Sequence, residues 1–483
     1  MIKSNKNAYG KFKKGAISKE LFKLSCTQLK KLFKKDKKDY LQKTIKETNL
    51  FEGIKKLISI GNTNLHTENE CFEVNSINNF FTNICKNIHK DKSFSEKSNC
   101  NTSLSFSLKK VTNHDVLKTW NTIKNKTNSK EYHTGMCTRM INLTILAPNI
   151  TTLLTHFFNL SIEENFIPDI LKITRIKPIP KKTNPSSEDF RPISIIPILL
   201  KLLEKIVYDQ LSHFINDNKI INDRQYGFKK GYSTTTYMCH LMDYLYKQLD
   251  LDKICLMVSI DMKKAFDTIN RELLLQKLKK YGIHSLWFKS FLTNRKQFVE
   301  HNNIQSDITL TETGIPQGSA LSGMLFTIFL NDMPNVCVFS EPYQYADDTN
   351  IIDSEYPERS DELQRRMQSD VQNLITWLKS NHLELNNSKT QMMVICSPKN
   401  QFYAKDFKIN VENVTISCVN VMKCLGLYID SQLNWNHHIK NVIKKCNFML
   451  FSLYPYMNLL TPKQRLIILK SYVLSNTMHL FVI

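Results

Sequence analysis

A run of mostly apolar residues, Ile254-Cys255-Leu256-Met257-Val258-Ser259-Ile260, ends on a carboxylate at Asp261. It reads as a buried strand that delivers Asp261 at its tip. Further along, Tyr345-Ala346-Asp347-Asp348 sets two adjacent carboxylates between Cys337-Val338-Phe339 and Tyr343 on one side and Ile351-Ile352 on the other. Those flanks read as the two strands of a hairpin, with the acids at its turn. About one Asp-Asp pair is expected by chance in a chain of this length, so the pair alone would pass for a polar surface turn. Three carboxylates brought to one point by two strand ends are a different matter. They can hold two Mg²⁺ ions, which together stabilise the attacking and leaving oxygens of phosphoryl transfer.

Between these anchors, Gly314-Ile315-Pro316-Gln317-Gly318-Ser319-Ala320-Leu321-Ser322 forms a Gly and Pro turn that opens an apolar helix through Phe329. Asp261, then Pro316-Gln317-Gly318, then Tyr345-Ala346-Asp347-Asp348 resembles the A, B and C motifs of reverse transcriptases. The match is to those of non-LTR (LINE-type, jockey- or RTE-like) retrotransposons, and it extends over about residues 160–475. The resemblance implies an α+β right-hand polymerase with fingers, a ferredoxin-like palm whose antiparallel sheet carries helices on one face, and a helical thumb. It implies RNA-directed DNA polymerase activity, in which a DNA primer 3′-hydroxyl attacks the α-phosphate of a dNTP on an RNA template. Asp261, Asp347 and Asp348 would be catalytic and would ligate two Mg²⁺, with Mn²⁺ as an alternative ion. Gln317 would contact the nucleotide.

Arg175 to Lys182 alternates as a strand and ends basic, and after a turn at Asn184-Pro185-Ser186-Ser187 comes Phe190-Arg191-Pro192-Ile193-Ser194, which resembles the fingers hairpin. Cations on a two-stranded ribbon can cover a triphosphate, which makes Arg191 the expected contact, with Lys177 and Lys181 beside it. Solvation of an exposed hairpin is the alternative. Asp223 to Thr234 mixes aromatics, glycines and cations, as where backbone approaches nucleic acid, and carries Tyr232 where the family usually has His. By resemblance Phe266, five residues past Asp261, lies under the nucleotide sugar and gates it; simple core packing is the other reading. Asp267 reads as structural, capping the helix that includes Leu274 and Leu278. Ser322-Gly323 replaces the Gly-Pro common in the family, which predicts a looser helix start.

From Leu363 to Leu378 the apolar spacing gives a long amphipathic helix that covers the sheet. Leu385 to Thr390 resembles motif D, where Lys389 would protonate departing pyrophosphate; a surface lysine is the plainer reading. Cys424 to Asp430 reads as a strand with a close-approach glycine, and resembles the primer-grip hairpin. Asn441 to Tyr454 and Pro462 to Leu474 read as basic helices of a thumb.

The chain has 483 residues, 42% of them hydrophobic, and a formal net charge of +22, which points to a polyanionic partner. Residues 1–50 hold 15 Lys against 4 acids, half of that excess, in an arm suited to tracking phosphates without reading bases. The expected divisions are 1–110, a basic helical extension and polar linker; 111–160, a helical lead-in; 161–431, fingers and palm; and 432–483, a partial helical thumb. The 12 cysteines lack CxxC or His-Cys ligand spacing, and no apolar run is long enough to span a bilayer. A reduced, intracellular protein is expected, nuclear if it acts on chromosomal DNA; nothing in the sequence indicates an oligomeric state. Two rival readings stand beside the enzyme: a catalytically reduced retroelement relic that binds RNA, and a group II intron maturase. No endonuclease motif accompanies the polymerase motifs.

Overall fold

The computed structural model describes residues 74–83, 103–126 and 136–475, apart from 183–184, 405–406, 412–413, 455–456 and 458–459. The basic helices and Lys-rich arm expected over residues 1–60 lie outside the described residues. Two compact units are present, one covering Glu70–Asn434 and the other including the chain from Trp435 onward.

In the first unit the helices Val74–Asn83, Asn113–Lys126 and Met136–Glu163 precede a hairpin of β1 (Ile173–Pro180) and β2 (Phe190–Ile195). Helices Ile198–Asp217 and Thr234–Asp250 lead to β3 (Ile254–Ile260), and three short helices, Ala265–Thr268, Arg271–Lys280 and Leu286–Leu292, then lead to β4 (Lys296–His301), β5 (Ile304–Gln305) and β6 (Thr309–Leu310). The apolar helix Ser322–Leu330 is followed by β7 (Glu341–Tyr345) and β8 (Asp348–Glu355), and the long helix Ser360–Ser380 by β9 (Gln391–Ile395), β10 (Ile409–Val411), β11 (Val414–Cys418), β12 (Val421–Cys424) and β13 (Leu427–Asp430).

One sheet runs β2-β1-β4-β5 with β6 beside β4; a second runs β10-β11-β9-β3-β8-β7. The second sheet departs from the all-antiparallel expectation, since β11 pairs with β9 in parallel. Nor is β3 covered on one face only. Ile254 through Val258 are all buried, because the run is continuously apolar and not alternating, and helices Thr234–Asp250 and Ser360–Ser380 both pack against it. Leu256, Val258 and Ile260 join Leu363, Val371 and Leu374 in the main core.

The expected strand at Cys337-Val338-Phe339 is not formed. The side chain of Asp370, fully buried on the long helix, accepts hydrogen bonds from the backbone N–H of Val338, Phe339 and Ser340 and from the Ser340 hydroxyl, so those groups are satisfied without a ladder. A second correction concerns the polar linker expected within residues 1–110. Val74–Asn83 is a helix whose Val74, Ile77 and Phe81 pack on Ile176, Phe190 and Val299 of the first sheet. Gly426 is a turn residue and not a close-approach one: it sits between β12 and β13 at φ +93°, and a Cβ there would meet nothing within 4 Å.

In the second unit the helix Asn436–Leu453 buries His438, Val442, Cys446 and Leu453, and the helix Pro462–Ile468 begins at a Thr461–Gln464 capping box and widens into a π-helical turn over Leu469–Leu474. Among the described residues no helix is long and apolar enough to cross a membrane.

Candidate active site

The register of β3 against β8 places Ile260 opposite Thr349, so Asp261 emerges beside Asp348. Tyr345 pairs with Asp348 to close the β7–β8 hairpin, which leaves Ala346 and Asp347 as its two turn residues. The sequence favours this locally: buried Tyr343 on β7 and Ile351-Ile352 on β8 hold the two strands in the sheet, and the dipeptide Ala346-Asp347 takes the turn. Asp261 is fixed from the far side by Leu385-Asn386-Asn387-Ser388-Lys389-Thr390. Its carbonyl accepts from Asn386 N at 2.8 Å, its Oδ2 accepts from Asn386 Nδ2 at 2.7 Å, its N–H donates to Thr390 Oγ1 at 3.3 Å, and Lys389 Nζ lies 3.8 Å from Oδ2.

The three carboxylates repel one another. Desolvation, then Asp347 and Asp261, push the Asp348 carboxyl up to about 6, although the residue keeps an exposed edge toward the cavity. Asp347 is raised as well, chiefly by desolvation and then by Asp261, with Arg191 and Lys389 acting the other way. The cost of keeping three acids together is stored in the folded chain, as in sites built to take a cation.

The acids open into a cavity of about 870 Å³ whose lining includes Arg191, Lys181, Phe266, Gln317 and Lys389. Eight of the nine site residues expected from the sequence therefore share one space. Lys177 does not line it: it is exposed on β1, on the hairpin face of Arg191 but farther along the ribbon, opposite Ile193.

Gln317 donates from Nε2 to Asp267 Oδ1 at 2.9 Å, and its carbonyl accepts from Ser194 N at 2.8 Å, which stitches the loop to β2. Gly318 stands at φ +124°, and a Cβ there would lie 2.8 Å from Ser194 O. Asp267 is thus no helix cap. Asn270 caps the helix Arg271–Lys280, accepting from Glu272 N and Leu273 N. Crowding by protein atoms raises the Asp267 carboxyl to about 6, although the residue is only partly buried by area, and Gln317, Lys264, Lys181 and Arg191 oppose the rise.

A raised carboxyl keeps its proton in the folded chain while the unfolded chain releases it, so stability falls as pH climbs from about 4 to about 6 and the loss stays constant above. Asp267→Asn removes that loss and keeps an oxygen for Gln317. Its stability relative to the unsubstituted chain is expected to improve between pH 4 and 6 in urea titrations. A difference that stays flat across this window would place the Asp267 carboxyl near its ordinary range.

Phe266 stacks on Phe326 with centroids 4.0 Å apart and meets Phe228 edge-on at 6.2 Å. Gly323 explains how Phe228 is seated: a Cβ at that position would lie 2.5 Å from the Phe228 ring. At this helix start Ser322 is buried, no side chain caps the first turn, and the glycine receives an aromatic ring.

Four contributors were missed by reading motifs. Phe80 and Phe81 reach the cavity from the helix Val74–Asn83, and Lys264 Nζ sits 3.8 Å over the Phe80 ring. Glu204, fully buried, accepts from Ser319 Oγ at 2.8 Å and Ala320 N at 3.1 Å and so holds the Gln317 loop from behind. Burial raises its carboxyl, with buried Arg295 opposing. Gln225 contacts the turn at Ala346. Gln225 lay in the Asp223 to Thr234 stretch already singled out, and Glu204 on the helix that the apolar spacing of Leu199 to Ile215 predicts.

The sequence profile of the family described as reverse transcriptase (RNA-dependent DNA polymerase) matches residues 179–434, more than half of the chain. The chain belongs to the reverse transcriptase family. Its α+β fingers and palm are those the motifs implied. Curated relatives include the probable RNA-directed DNA polymerase from transposon BS of Drosophila melanogaster, 29% identical over 304 residues, which are 60% of this chain and 33% of the relative. Another is the RNA-directed DNA polymerase from mobile element jockey of the same organism, 24% identical over 298 residues, 59% of this chain and 32% of the relative. These transposon and mobile-element enzymes support the LINE-type assignment, and this chain spans about a third of their length. A telomerase from Candida tropicalis solved in complex with a fragment of telomeric RNA aligns over 58% of this chain and 49% of its own at 12% identity, with a TM-score of 0.38, too low to bear on the fold.

Reverse transcriptases generally work with divalent metal ions. Among the described residues no three His, Cys, Asp or Glu side chains form a ready-made cage around one point. The donor set nevertheless fits a small hard cation, which takes oxygen ligands, keeps several waters and is held by one or two carboxylates together with substrate phosphates. Desolvation first and mutual repulsion second lift Asp347 and Asp348, and a bound cation would offset both.

Proposed function

We propose that this reverse transcriptase copies RNA into DNA, joining a dNTP to a DNA primer on an RNA template as part of retrotransposon replication. The observation that carries the reading is the convergence of Asp261, Asp347 and Asp348 with Arg191, Lys181 and Gln317 on one cavity. Asp261, Asp347 and Asp348 would hold two Mg²⁺, or Mn²⁺ in their place. Bound there, the ions supply charge for the attacking and leaving oxygens. Arg191 and Lys181 orient the triphosphate from the fingers hairpin. Gln317, anchored on Asp267, sets the floor against which the base pair is seated, and Phe266 lies beneath the sugar. Lys389, held near Asp261, gives a proton to the departing pyrophosphate. Action on chromosomal DNA would place the protein in the nucleus. Primer extension on poly(rA)/oligo(dT) with dTTP and Mg²⁺ tests the reading: extended product is expected, and RNA binding without product would leave a binder in place of an enzyme.

The arm of residues 1–50 adds affinity for phosphates without sequence choice, given its 15 lysines. Its deletion is expected to flatten the dependence of log RNA affinity on log salt concentration, since each phosphate neutralised contributes about one to the slope. An unchanged slope would show that the arm points away from nucleic acid.

A further inference from the structure

The stretch Asp223-Arg224-Gln225-Tyr226-Gly227 runs beside β7. Tyr226 N donates to Gln344 O at 2.8 Å, Gln344 N donates to Arg224 O at 2.9 Å, and Gln225 and Gln344 form a parallel bridge. Gln225 is 1% exposed, and its side-chain amide is committed to backbone. Oε1 accepts from Ala346 N at 3.0 Å and from Gly227 N at 2.7 Å, and Nε2 donates to Ala346 O at 3.4 Å. Ala346 stands at φ +57°, a left-handed conformation that residues with a side chain resist, and it directly precedes Asp347. The approach is close: a Cβ on Gly227 would lie 2.2 Å from Ala346 N.

We infer that Gln225 is a positioning residue for nucleotidyl transfer, gripping both backbone polar groups of Ala346 and so holding the left-handed turn that keeps Asp347 and Asp348 facing Asp261. The inference rests on the function proposed above. An amide is the side chain suited to the task, because one planar group offers an acceptor to the two N–H groups and a donor to the carbonyl. An aliphatic residue of the same length would leave two buried N–H groups unpaired beside the acids. Ala346 would then relax out of the left-handed region, and the carboxylates after it would swing with the chain.

The grip and the turn conformation can be separated by substitution. Gln225→Met keeps length and removes every hydrogen bond. Ala346→Gly on top of it restores easy access to positive φ. In the full chain, Gln225→Met is expected to weaken Mn²⁺ binding, followed by electron paramagnetic resonance without nucleic acid, about tenfold. It should also lower kcat on poly(rA)/oligo(dT) at least about tenfold, with the KM for dTTP moving less than about threefold. Adding Ala346→Gly should recover most of the Mn²⁺ affinity and part of kcat. Gln225→Asn, which keeps the amide and loses its reach, serves if Gln225→Met does not fold, with the same expected losses and recovery. Mn²⁺ affinity and kcat unchanged in the single variants, or losses that Ala346→Gly does not recover, would overturn the inference. An unsubstituted chain that binds Mn²⁺ and makes no DNA would fail the proposed function instead, with the Mn²⁺ titration still deciding the role of Gln225.

Discussion

Asp347→Asn and Asp261→Asn are each expected to lower primer extension at least about 10³-fold while leaving RNA affinity nearly unchanged. Both acids are fixed in place, Asp261 past the end of β3 by the Leu385–Thr390 loop and Asp347 in the turn that β7 and β8 close. Asparagine keeps the shape and the neighbours and removes only the charge. Because the acids repel one another and the Asp347 and Asp348 carboxyls are raised, Asp347→Asn should also make the folded chain more stable near neutral pH. Loss of activity with gain of stability separates a functional acid from a structural one. Activity equal to the unsubstituted chain in both variants would remove the palm assignment.

Phe266→Val is expected to raise incorporation of ribonucleotides relative to deoxynucleotides by about 10- to 100-fold, the range that one change in pocket volume commands. The ring stacks on Phe326, meets Phe228 edge-on and also lines the cavity, so it is both a packed residue and a wall. An aromatic held that firmly cannot yield to a ribose 2′-hydroxyl, and valine takes away the obstruction for one substrate only. Loss of the stacked pair should cost about 2 kcal/mol of stability, which a urea titration reads separately. Equal loss of activity with both sugars, or discrimination left intact, would make Phe266 a packing residue and move the gate elsewhere.

The parts of the site legible in sequence are those set by short-range pattern. A continuous apolar run ending on Asp261 and the Ile351-Ile352 flank after the paired acids could be placed on strands, whereas the flank at Cys337-Val338-Phe339 could not, and the order of motifs supplied the rest of the fingers and palm. What sequence did not show are long-range polar contacts. Asp370 satisfies the backbone at Val338–Ser340 from the middle of a helix whose apolar spacing gave no hint of a buried acid. Glu204 lies within an amphipathic pattern where a charged residue reads as solvent-facing, yet it is buried behind the Gln317 loop. The helix Val74–Asn83 was obscured by its polar surroundings. Its asparagines suggested a linker, whereas Asn78 donates to Asp307 O and Thr309 Oγ1 and anchors the helix to the first sheet. Lys177 was grouped with Arg191 by sequence and does share its face of the hairpin, but it stands farther along the ribbon and does not line the cavity.

The most direct test of the central account is single-turnover addition of one nucleotide to a DNA primer annealed to an RNA template of defined sequence, with Mg²⁺ and each of the four dNTPs offered separately to the full chain. The account predicts extension by one residue with the dNTP complementary to the template base, and little with the other three. Bound primer–template that stays at its starting length with all four would contradict it.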